Sequence, residues 1–428
     1  MIDIAILGGG VSALALAANL KKDFLILEKQ NKTGGLCSSI VEQGFTFDVA
    51  GPHILFSKNQ NILNYMKSLL GENIIRKFRT SKILYKNKYV KYPFENGLSD
   101  LPKEDCFECI RDYLSNNFNK NPSNLAEWSY ATFGKSISEK YLLPYNRKIW
   151  NCDPSSISLD WVSRIPKPPL EDVLKSAIGI STEGYLHQLY FSYPKTGGFQ
   201  AITDALTEKV KNKLFLNEEV IKIEKIENGW NITTNKNIIC AKNIVSTIPI
   251  HKLINILHSS PKEAIELSNK LRFNGLINVL IGLSYDHKIS YPTIYVPDPT
   301  VDFHRLTIPS NFSENNTPNG QSSIMVEITA NNEDDIWKLS DKDILNKITN
   351  DLERLNIIEA DKVIYSKVIK ITYAYPVCDL NYKENVEKIR NLIENTGIHL
   401  LGRFGNFEYI NSDVCVEQAF ALAEKLNG

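Results

Sequence analysis

The feature that most constrains this chain is a glycine turn between two short apolar runs near the start of the sequence. The first run, Ile2–Leu7, leads directly into Gly8-Gly9-Gly10, and a helical apolar stretch follows at residues 14–20. A second apolar run then ends in Glu28. This order predicts a strand, a helix and a parallel strand that bind a dinucleotide, because the turn admits a pyrophosphate and the acid accepts from a ribose hydroxyl. An ordinary glycine turn in an unrelated unit is the alternative.

A second pair of glycines, Gly34-Gly35, lies just beyond the acid and offers another close approach of backbone to a ligand. In this respect the chain is similar to flavoproteins, so we predict FAD as the dinucleotide. The expected fold is α/β: a Rossmann-like FAD-binding domain with a helical insert and an antiparallel β-sheet substrate domain. We expect residues 1–75, 193–255 and 396–428 in the FAD-binding domain, 98–192 in the insert, and 76–97 with 256–395 in the sheet domain.

Coarse patterns along the chain support this organisation. Alternation at residues 81–92 predicts a hairpin, and residues 103–142 are helical in pattern, with Asp105 and Asn124 as expected N-caps. Another helical stretch precedes Gly184. Strands are expected at 218–226, 230–234, 238–247, 271–283 and 322–328, and helices at 60–70, 201–210, 345–355 and 414–426. A strand at 398–403 is expected to return the chain to the N-terminal sheet.

The composition excludes several classes of protein. The 428 residues are enough for two or three domains, and 49 basic residues balance 49 acidic ones, so no global field favours nucleic acid or an anionic membrane. No apolar stretch is long enough to span a bilayer. Seven scattered cysteines argue against a disulfide framework, and no histidine–cysteine spacing indicates a metal. We therefore expect a cytoplasmic protein without a metal; a homo-oligomer is left open.

Chemistry in such a chain is expected to belong to the cofactor. His53, on the rigid Gly51-Pro52 turn, either faces the flavin or is an ordinary structural histidine. Arg164 and Arg305 either clamp a diphosphate or are ordinary surface arginines. Four tyrosines near loops either orient phosphates or simply pack: Tyr92, Tyr295, Tyr375 and Tyr409.

Motifs running nearly end to end resemble one known family. They include Gly51-Pro52-His53, Tyr92-Pro93-Phe94, the Pro144–Trp150 stretch, Phe303–Asn311 and Gly402-Arg403-Phe404-Gly405. In this order they are similar to those of the UDP-galactopyranose mutases, flavoenzymes that interconvert the pyranose and furanose forms of a nucleotide sugar. The chain looks closer to the eukaryotic type than to the shorter bacterial type.

The resemblance implies roles for named residues. His53, Arg164 and Arg305 would be catalytic, with His53 in a mobile loop beside the flavin. The nucleotide-diphosphate sugar would be held by Tyr92, Asn146, Trp150, Arg164, Tyr295, Arg305, Tyr375 and Tyr409. The motif and the resemblance together predict cofactor contacts at Gly8, Gly10, Ser12, Ala13, Glu28, Gly34, Gly35, Leu36, Arg79, Ser81, Val220, Gly402, Arg403 and Asp413.

The resemblance also implies a mechanism without net redox. FAD, reduced by NAD(P)H, would form an N5–sugar adduct in which the ring opens and closes in the other size. One departure concerns Glu95, because the family usually has Gln there and a carboxylate near an anionic ligand is unfavourable. The rival predictions are an FAD-dependent amine oxidase or desaturase, which shares the dinucleotide fold, and a non-catalytic dinucleotide-binding subunit. Neither rival needs a diphosphate clamp.

Overall fold

The computed structural model describes residues 1–182 and 190–428. Residues 183–189, which include Gly184 and part of the predicted insert, lie outside the described residues. The helices are α1 (Val11–Ala17), α2 (Gln60–Ser68), α3 (Lys103–Leu114), α4 (Leu125–Ile137), α5 (Leu143–Trp150), α6 (Leu170–Ala177), α7 (Gln200–Val210), α8 (Ile250–Ile256), α9 (Lys262–Ser268), α10 (Asp335–Lys338), α11 (Asp341–Arg354), α12 (Tyr382–Glu394), α13 (Gly402–Gly405) and α14 (Ser412–Asn427).

The strands form two large sheets and two small ones. They are β1 (Ile2–Leu7), β2 (Phe24–Glu28), β3 (Ser39–Glu42), β4 (Phe45–Asp48), β5 (Ile75–Phe78), β6 (Lys82–Tyr85), β7 (Lys88–Lys91), β8 (Tyr190–Tyr193), β9 (Leu214–Leu216), β10 (Val220–Ile226), β11 (Gly229–Thr234), β12 (Ile238–Ser246), β13 (Phe273–Leu283), β14 (Thr293–Tyr295), β15 (Arg305–Thr307), β16 (Ser322–Ala330), β17 (Val363–Pro376) and β18 (Ile398–Leu400).

The first sheet has the order β10-β11-β12-β1-β2-β9, with β18 also paired to β12. Strands β1, β2, β9, β12 and β18 pair in parallel. Helices α1, α7 and α14 pack together on one side of this sheet, and an apolar core that includes residues of α8, α9 and α12 lies against it as well. The pairing of β18 with β12 confirms that the chain returns to the N-terminal sheet after residue 396.

The second sheet has the order β17-β13-β16-β15-β14-β6-β7 and is antiparallel except where β14 meets β6. The predicted hairpin is present as β6 and β7, and its turn residues Lys86 and Asn87 both have positive φ. In the sequence, helices α3 to α6 lie between β7 and β8 and form the helical group of the fold. The predicted fold class is therefore confirmed, whereas the domain boundaries remain a prediction.

One of the two predicted helix caps is wrong. Asn124 caps α4 by accepting from the backbone N–H of Glu127, and the Glu127 carboxylate accepts from Ser123 in return. Asp105, by contrast, lies inside the first turn of α3, where its carboxylate pairs with Lys86 and Lys140. An acidic side chain in the first turn interacts favourably with the positive end of the helix dipole, as an acidic N-cap does. The two positions therefore look alike in the sequence.

Candidate active site

The glycines of the first turn and of the second pair form one cradle. Gly10 and Gly34 pair as an isolated bridge, and the N–H of Gly34 donates to the carbonyl of Gly9 over 3.0 Å. A Cβ added to Gly35 would lie 3.4 Å from Cα of Gly10, whereas one added to Gly10 would meet no heavy atom within 4 Å. The space over Gly10 is therefore open, as a pyrophosphate site requires.

The acid that ends β2 closes one side of the cradle. Oε2 of Glu28 accepts from the N–H of Gly9 at 2.6 Å, and Oε1 accepts from that of Gln30 at 2.8 Å. Each carboxylate oxygen keeps further acceptor capacity, which suits a ribose hydroxyl. The carbonyl of Glu28 accepts from the N–H of Glu218, which brings the predicted Val220, two residues farther along, close to the same end.

Other predicted cofactor residues meet at the start of α1. Gly402 has a φ of +81°, and a Cβ there would approach Oγ of Ser12 to 2.5 Å, so α13 packs directly on α1. Ala13 is fully buried in α1, and Leu36 is half-buried in the turn Gly35–Cys37. Among the described residues, the buried Nε of Arg403 has no hydrogen-bond partner. An orphaned donor and an open glycine cradle fit an anionic dinucleotide.

Asp413 lies in the first turn of α14 and is buried. The structure thus brings Gly402 and the helix that carries Asp413 against α1, which follows the N-terminal glycines.

His53 lies in a short loop, residues 50–54, which we call the His53 loop. Its Nδ1 lies 2.9 Å from the carbonyl oxygen of Gly51, and its ring centroid lies 5.1 Å from that of Phe199. Burial and the nearby charges of Arg403 and Arg305 lower the pKa of His53 to about 4, so the ring is neutral at pH 7. Because a carbonyl only accepts, Nδ1 carries the proton and Nε2 is left as an acceptor.

Four arginines and four tyrosines form a cluster beside this loop, which we call the arginine–tyrosine cluster. Its members are Arg79, Arg164, Arg305, Arg403, Tyr92, Tyr295, Tyr375 and Tyr409. All eight were predicted from the sequence or the resemblance. Fixed guanidinium groups and phenol hydroxyls in one place are the donors that bind a diphosphate.

One side of the cluster is built on two stacked rings. The centroids of Tyr375 and Tyr409 are 5.8 Å apart, and the guanidinium of Arg403 lies 4.2 Å from the Tyr409 ring. Arg164 lies 4.7 Å from the same ring and donates to the carbonyl of Tyr409. Arg305 donates to the Tyr375 hydroxyl at 3.5 Å. Arg164 and Arg305 therefore converge on one pair of tyrosines.

Arg79 and Ser81 extend the cluster on the other side. Arg79 donates to the hydroxyl of Tyr295 at 3.1 Å and to Oγ of Ser81 at 3.4 Å. The same guanidinium lies 5.6 Å from the Tyr92 ring, which in turn contacts Tyr295 at 4.8 Å.

A buried carboxylate that the sequence reading missed holds Arg305 in place. Glu327, on β16, is fully buried and accepts from Nε of Arg305 at 2.6 Å and from its Nη2 at 2.5 Å. Among the described residues Nη1 of Arg305 has no hydrogen-bond partner, and the side chain is partly exposed, so this nitrogen is available to a ligand. The available signal was a lone acid in the apolar run of residues 322–330.

The predicted Asn146 and Trp150 lie behind the cluster. The Asn146 amide donates to the carbonyl of Leu142 and its oxygen accepts from Nε1 of Trp161. Trp150 is fully buried, and its ring meets Trp161 and Tyr409 edge-on. In this conformation both side chains support the cluster rather than line it, so their predicted ligand contacts remain predictions.

Glu95 is buried, Tyr113 and Tyr141 are the tyrosines it interacts with electrostatically, and its Oε1 has no partner among the described residues. Burial raises the pKa of this carboxyl to about 8, so it is neutral at pH 7. A neutral acid does not repel an anionic ligand, which removes the conflict that the sequence raised. A protonated glutamic acid resembles glutamine in shape and in hydrogen-bonding groups.

We expect Glu95→Gln to stabilise the protein increasingly as the pH rises. Between about pH 4.5 and pH 8 the unfolded chain releases this proton while the native state keeps it, so stability is lost as pH increases. The difference in free energy of unfolding between the variant and the parent protein should grow by about 1 kcal/mol per pH unit in this range. Urea unfolding at pH 5, 6.5 and 8 measures it, with the exposed Glu104→Gln as control; an equal gain at all three values would contradict the raised pKa.

Comparison with known proteins identifies the family. The family described as flavin containing amine oxidoreductase matches residues 9–373. The chain belongs to the flavin-containing amine oxidoreductase family. Membership supports a flavin, FAD, as the dinucleotide that the glycine cradle fits. Among the described residues, no group of side chains is suited to a metal ion, and no helix is long and apolar enough to cross a membrane.

The individual relatives are enzymes of two kinds, a mutase and an oxidase. A solved structure of reduced UDP-galactopyranose mutase has a TM-score of 0.91 at 24% identity, covering 100% of this chain and 94% of that one. A UDP-galactopyranose mutase of Mycoplasma genitalium is 28% identical over 38% of this chain; the matched part spans 43% of that relative. A coproporphyrinogen III oxidase of Bacillus subtilis is 21% identical over 98% of this chain and 96% of that protein. The predicted resemblance to the mutases is therefore confirmed at the level of the fold.

We expect Gly10→Val to weaken flavin binding by roughly 100-fold or more while the apoprotein stays folded. Gly10 has an ordinary φ of −78°, and its Cβ position is free of protein atoms, so the added side chain occupies only the cradle. Visible flavin absorbance of the purified variant measures binding, and thermal unfolding compared with flavin-stripped parent protein measures the fold. Gly10→Ala should lie between the two; full flavin content in Gly10→Val would place the cofactor elsewhere.

Proposed function

We propose that this protein is a flavin-dependent mutase, an isomerase that interconverts the pyranose and furanose forms of a nucleotide-diphosphate sugar, UDP-galactose or a related one. The observation that carries the proposal is the convergence of Arg164 and Arg305 on the stacked pair Tyr375 and Tyr409. A diphosphate needs several fixed cations and hydroxyl donors, whereas an amine or an apolar substrate needs none.

The arginine–tyrosine cluster supplies what the reaction asks of the protein. Glu327 orients Arg305 through two of its nitrogens, which leaves Nη1 for a phosphate oxygen. The same donors that bind the diphosphate stabilise it more strongly when it leaves the sugar, because its negative charge increases as the bond breaks. Burial raises the pKa of Tyr375, so its hydroxyl stays protonated and can donate.

Bound FAD in its reduced form, with NAD(P)H as the reductant, would supply the nucleophile for the anomeric carbon. The chain contributes position: the cradle around Gly10 holds the pyrophosphate, and Arg403 brings an unpaired donor beside the cluster. His53 contributes a neutral ring whose Nε2 can accept a hydrogen bond from a sugar hydroxyl or from the cofactor.

The test is anaerobic incubation of the dithionite-reduced protein with UDP-galactofuranose, scored by chromatography for UDP-galactopyranose. Arg164→Ala is the informative variant, and Arg111→Ala, an exposed arginine on α3, is the matched control. Conversion that requires reduction, survives in the control and is lost in Arg164→Ala supports the proposal. If UDP perturbs the flavin spectrum but UDP-galactofuranose is not converted, the result supports the diphosphate site and means that the substrate carries a different sugar. If no nucleotide diphosphate is converted or perturbs the flavin spectrum, the result would contradict the proposal.

An FAD-dependent oxidoreductase is the second candidate. The full-length alignment with a coproporphyrinogen III oxidase and the membership in an oxidoreductase family favour it. This candidate predicts oxygen consumption with coproporphyrinogen III or with amines, and no effect of Arg164→Ala on that rate. Oxygen uptake measured with both substrate classes, next to the mutase assay, decides between the two candidates.

A further inference from the structure

The carboxylate of Asp48, at the end of β4, is a point where several elements meet. It is buried and accepts four hydrogen bonds. The donors are Oγ of Ser39 at 2.7 Å, the N–H of Phe199 at 2.9 Å, the hydroxyl of Tyr193 at 3.1 Å and the N–H of His53 at 3.4 Å.

Three of these donors belong to the frame around the His53 loop. Ser39 pairs with Asp48 in the β3–β4 ladder, Tyr193 ends β8, and Phe199 precedes α7. The carboxylate is therefore fixed whether or not the loop contacts it. The fourth bond, from His53, is the longest, so it is the one that the loop gives up most readily.

The backbone on either side of the His53 loop is held by hydrogen bonds to other elements. The N–H of Val49 donates to Ser38 at 2.8 Å, and its carbonyl accepts from Nδ2 of Asn278 at 3.0 Å. Leu55 exchanges two backbone hydrogen bonds with Ser192 at 2.8 and 3.1 Å. Between these points, and among the described residues, the His53 N–H makes the loop's only hydrogen bond to a side chain outside it.

We propose that Asp48 is a positioning residue: its fixed carboxylate latches the backbone of the His53 loop and so sets where the imidazole stands relative to the arginine–tyrosine cluster. The proposal deepens the proposed function, since His53 acts there, but the latch itself needs no substrate. Asp48 would touch neither cofactor nor sugar, and it acts only through the loop.

Hydrogen exchange read by mass spectrometry on the flavin-bound protein tests the latch directly. Asp48→Asn keeps the side chain's size but turns one acceptor oxygen into a donor. We expect a peptide covering residues 49–55 to exchange roughly tenfold faster in this variant, with β13 as an unchanged internal reference. Equal exchange at residues 49–55 would overturn the proposal.

A second variant keeps the test valid if Asp48→Asn does not fold. Tyr193→Phe removes a donor that competes for the same oxygen, Oδ2, that His53 uses. The latch predicts that residues 49–55 then exchange at the same rate or more slowly. Faster exchange would show that the loop is held through Tyr193 and would contradict the proposal.

Kinetics separate a latch from a general structural role. If the protein has mutase activity, Asp48→Asn should lower kcat roughly tenfold with KM changed less than about threefold, because the diphosphate donors remain. His53→Ala combined with Asp48→Asn should be no slower than His53→Ala alone. Additive losses would overturn the proposal. Absence of activity in the parent protein would reject the proposed function, while the exchange result would still decide the latch.

Discussion

Arg305→Ala is expected to lower the free energy of unfolding by about 3–5 kcal/mol, the largest stability effect we predict for this site. The loss does not come mainly from the missing cation. It comes from Glu327, whose fully buried carboxylate would lose its bidentate partner and, among the described residues, would keep only a 3.4 Å contact from the Thr307 hydroxyl. Urea unfolding followed by circular dichroism measures the change.

The double variant Arg305→Leu with Glu327→Leu separates the two contributions. Replacing a whole buried pair with apolar side chains is often neutral, so the double variant should recover most of the stability that Arg305→Ala loses. Both variants should lose affinity for UDP, measured by calorimetry, because both lack the guanidinium. A double variant as unstable as the single one would show that the pair is not an isolated unit.

Gly51→Ala should cost about 2–4 kcal/mol and sharply reduce ligand binding, by straining the turn and displacing the arginine beside it. Gly51 has a φ of +88°, and an added Cβ would lie 2.5 Å from Oε2 of Glu327 and 2.8 Å from Nη2 of Arg305. These are the ends of side chains, but neither can move without breaking the ion pair. The substitution must therefore either distort the backbone of the turn or break the ion pair between Arg305 and Glu327.

Gly71→Ala is the matched control for Gly51→Ala. Gly71 also has positive φ, +52°, but a Cβ there meets nothing within 4 Å. It should cost only the conformational strain, about 1 kcal/mol, and leave UDP binding unchanged. Thermal unfolding and calorimetry on the two variants make the comparison; equal effects would mean that the contact with Arg305 and Glu327 carries no energy.

What the sequence predicted well was local. The strand Ile2–Leu7 and the helix Val11–Ala17 are indicated by an apolar run, a glycine turn and a second apolar stretch that follow one another directly. The strand Val363–Pro376 was missed, because its half-buried lysines and exposed serine interrupt any apolar alternation. Helix Tyr382–Glu394 was also missed, since its buried positions are only Val386, Ile389 and Ile393 among many charges.

The arginines and tyrosines predicted for the site lie together in the structure, whereas the acids that hold them and the His53 loop were not predicted. Arginines and tyrosines stand out in motifs, whereas Asp48 and Glu327 are single acids in strands, and several of their partners lie on other elements. Arg305 reaches Glu327 across a strand pairing, and Asp48 collects donors from three separate elements. Such contacts depend on the assembled fold, so no local pattern could specify them.

The order of strands in the first sheet has a consequence for how the chain is made. β1 is flanked by β2, which follows it at once, and by β12, and the next partner, β18, comes only at residues 398–400. The strand β12 follows β1 by about 240 residues, and β18, which pairs with β12, follows β1 by about 400 residues, so this sheet closes through contacts between distant parts of the sequence and is expected to form slowly. Gly402, which packs against Ser12 of α1, and helix α14 come after β18 in the sequence. The glycine cradle therefore reaches its final form only when nearly the whole chain has been synthesised.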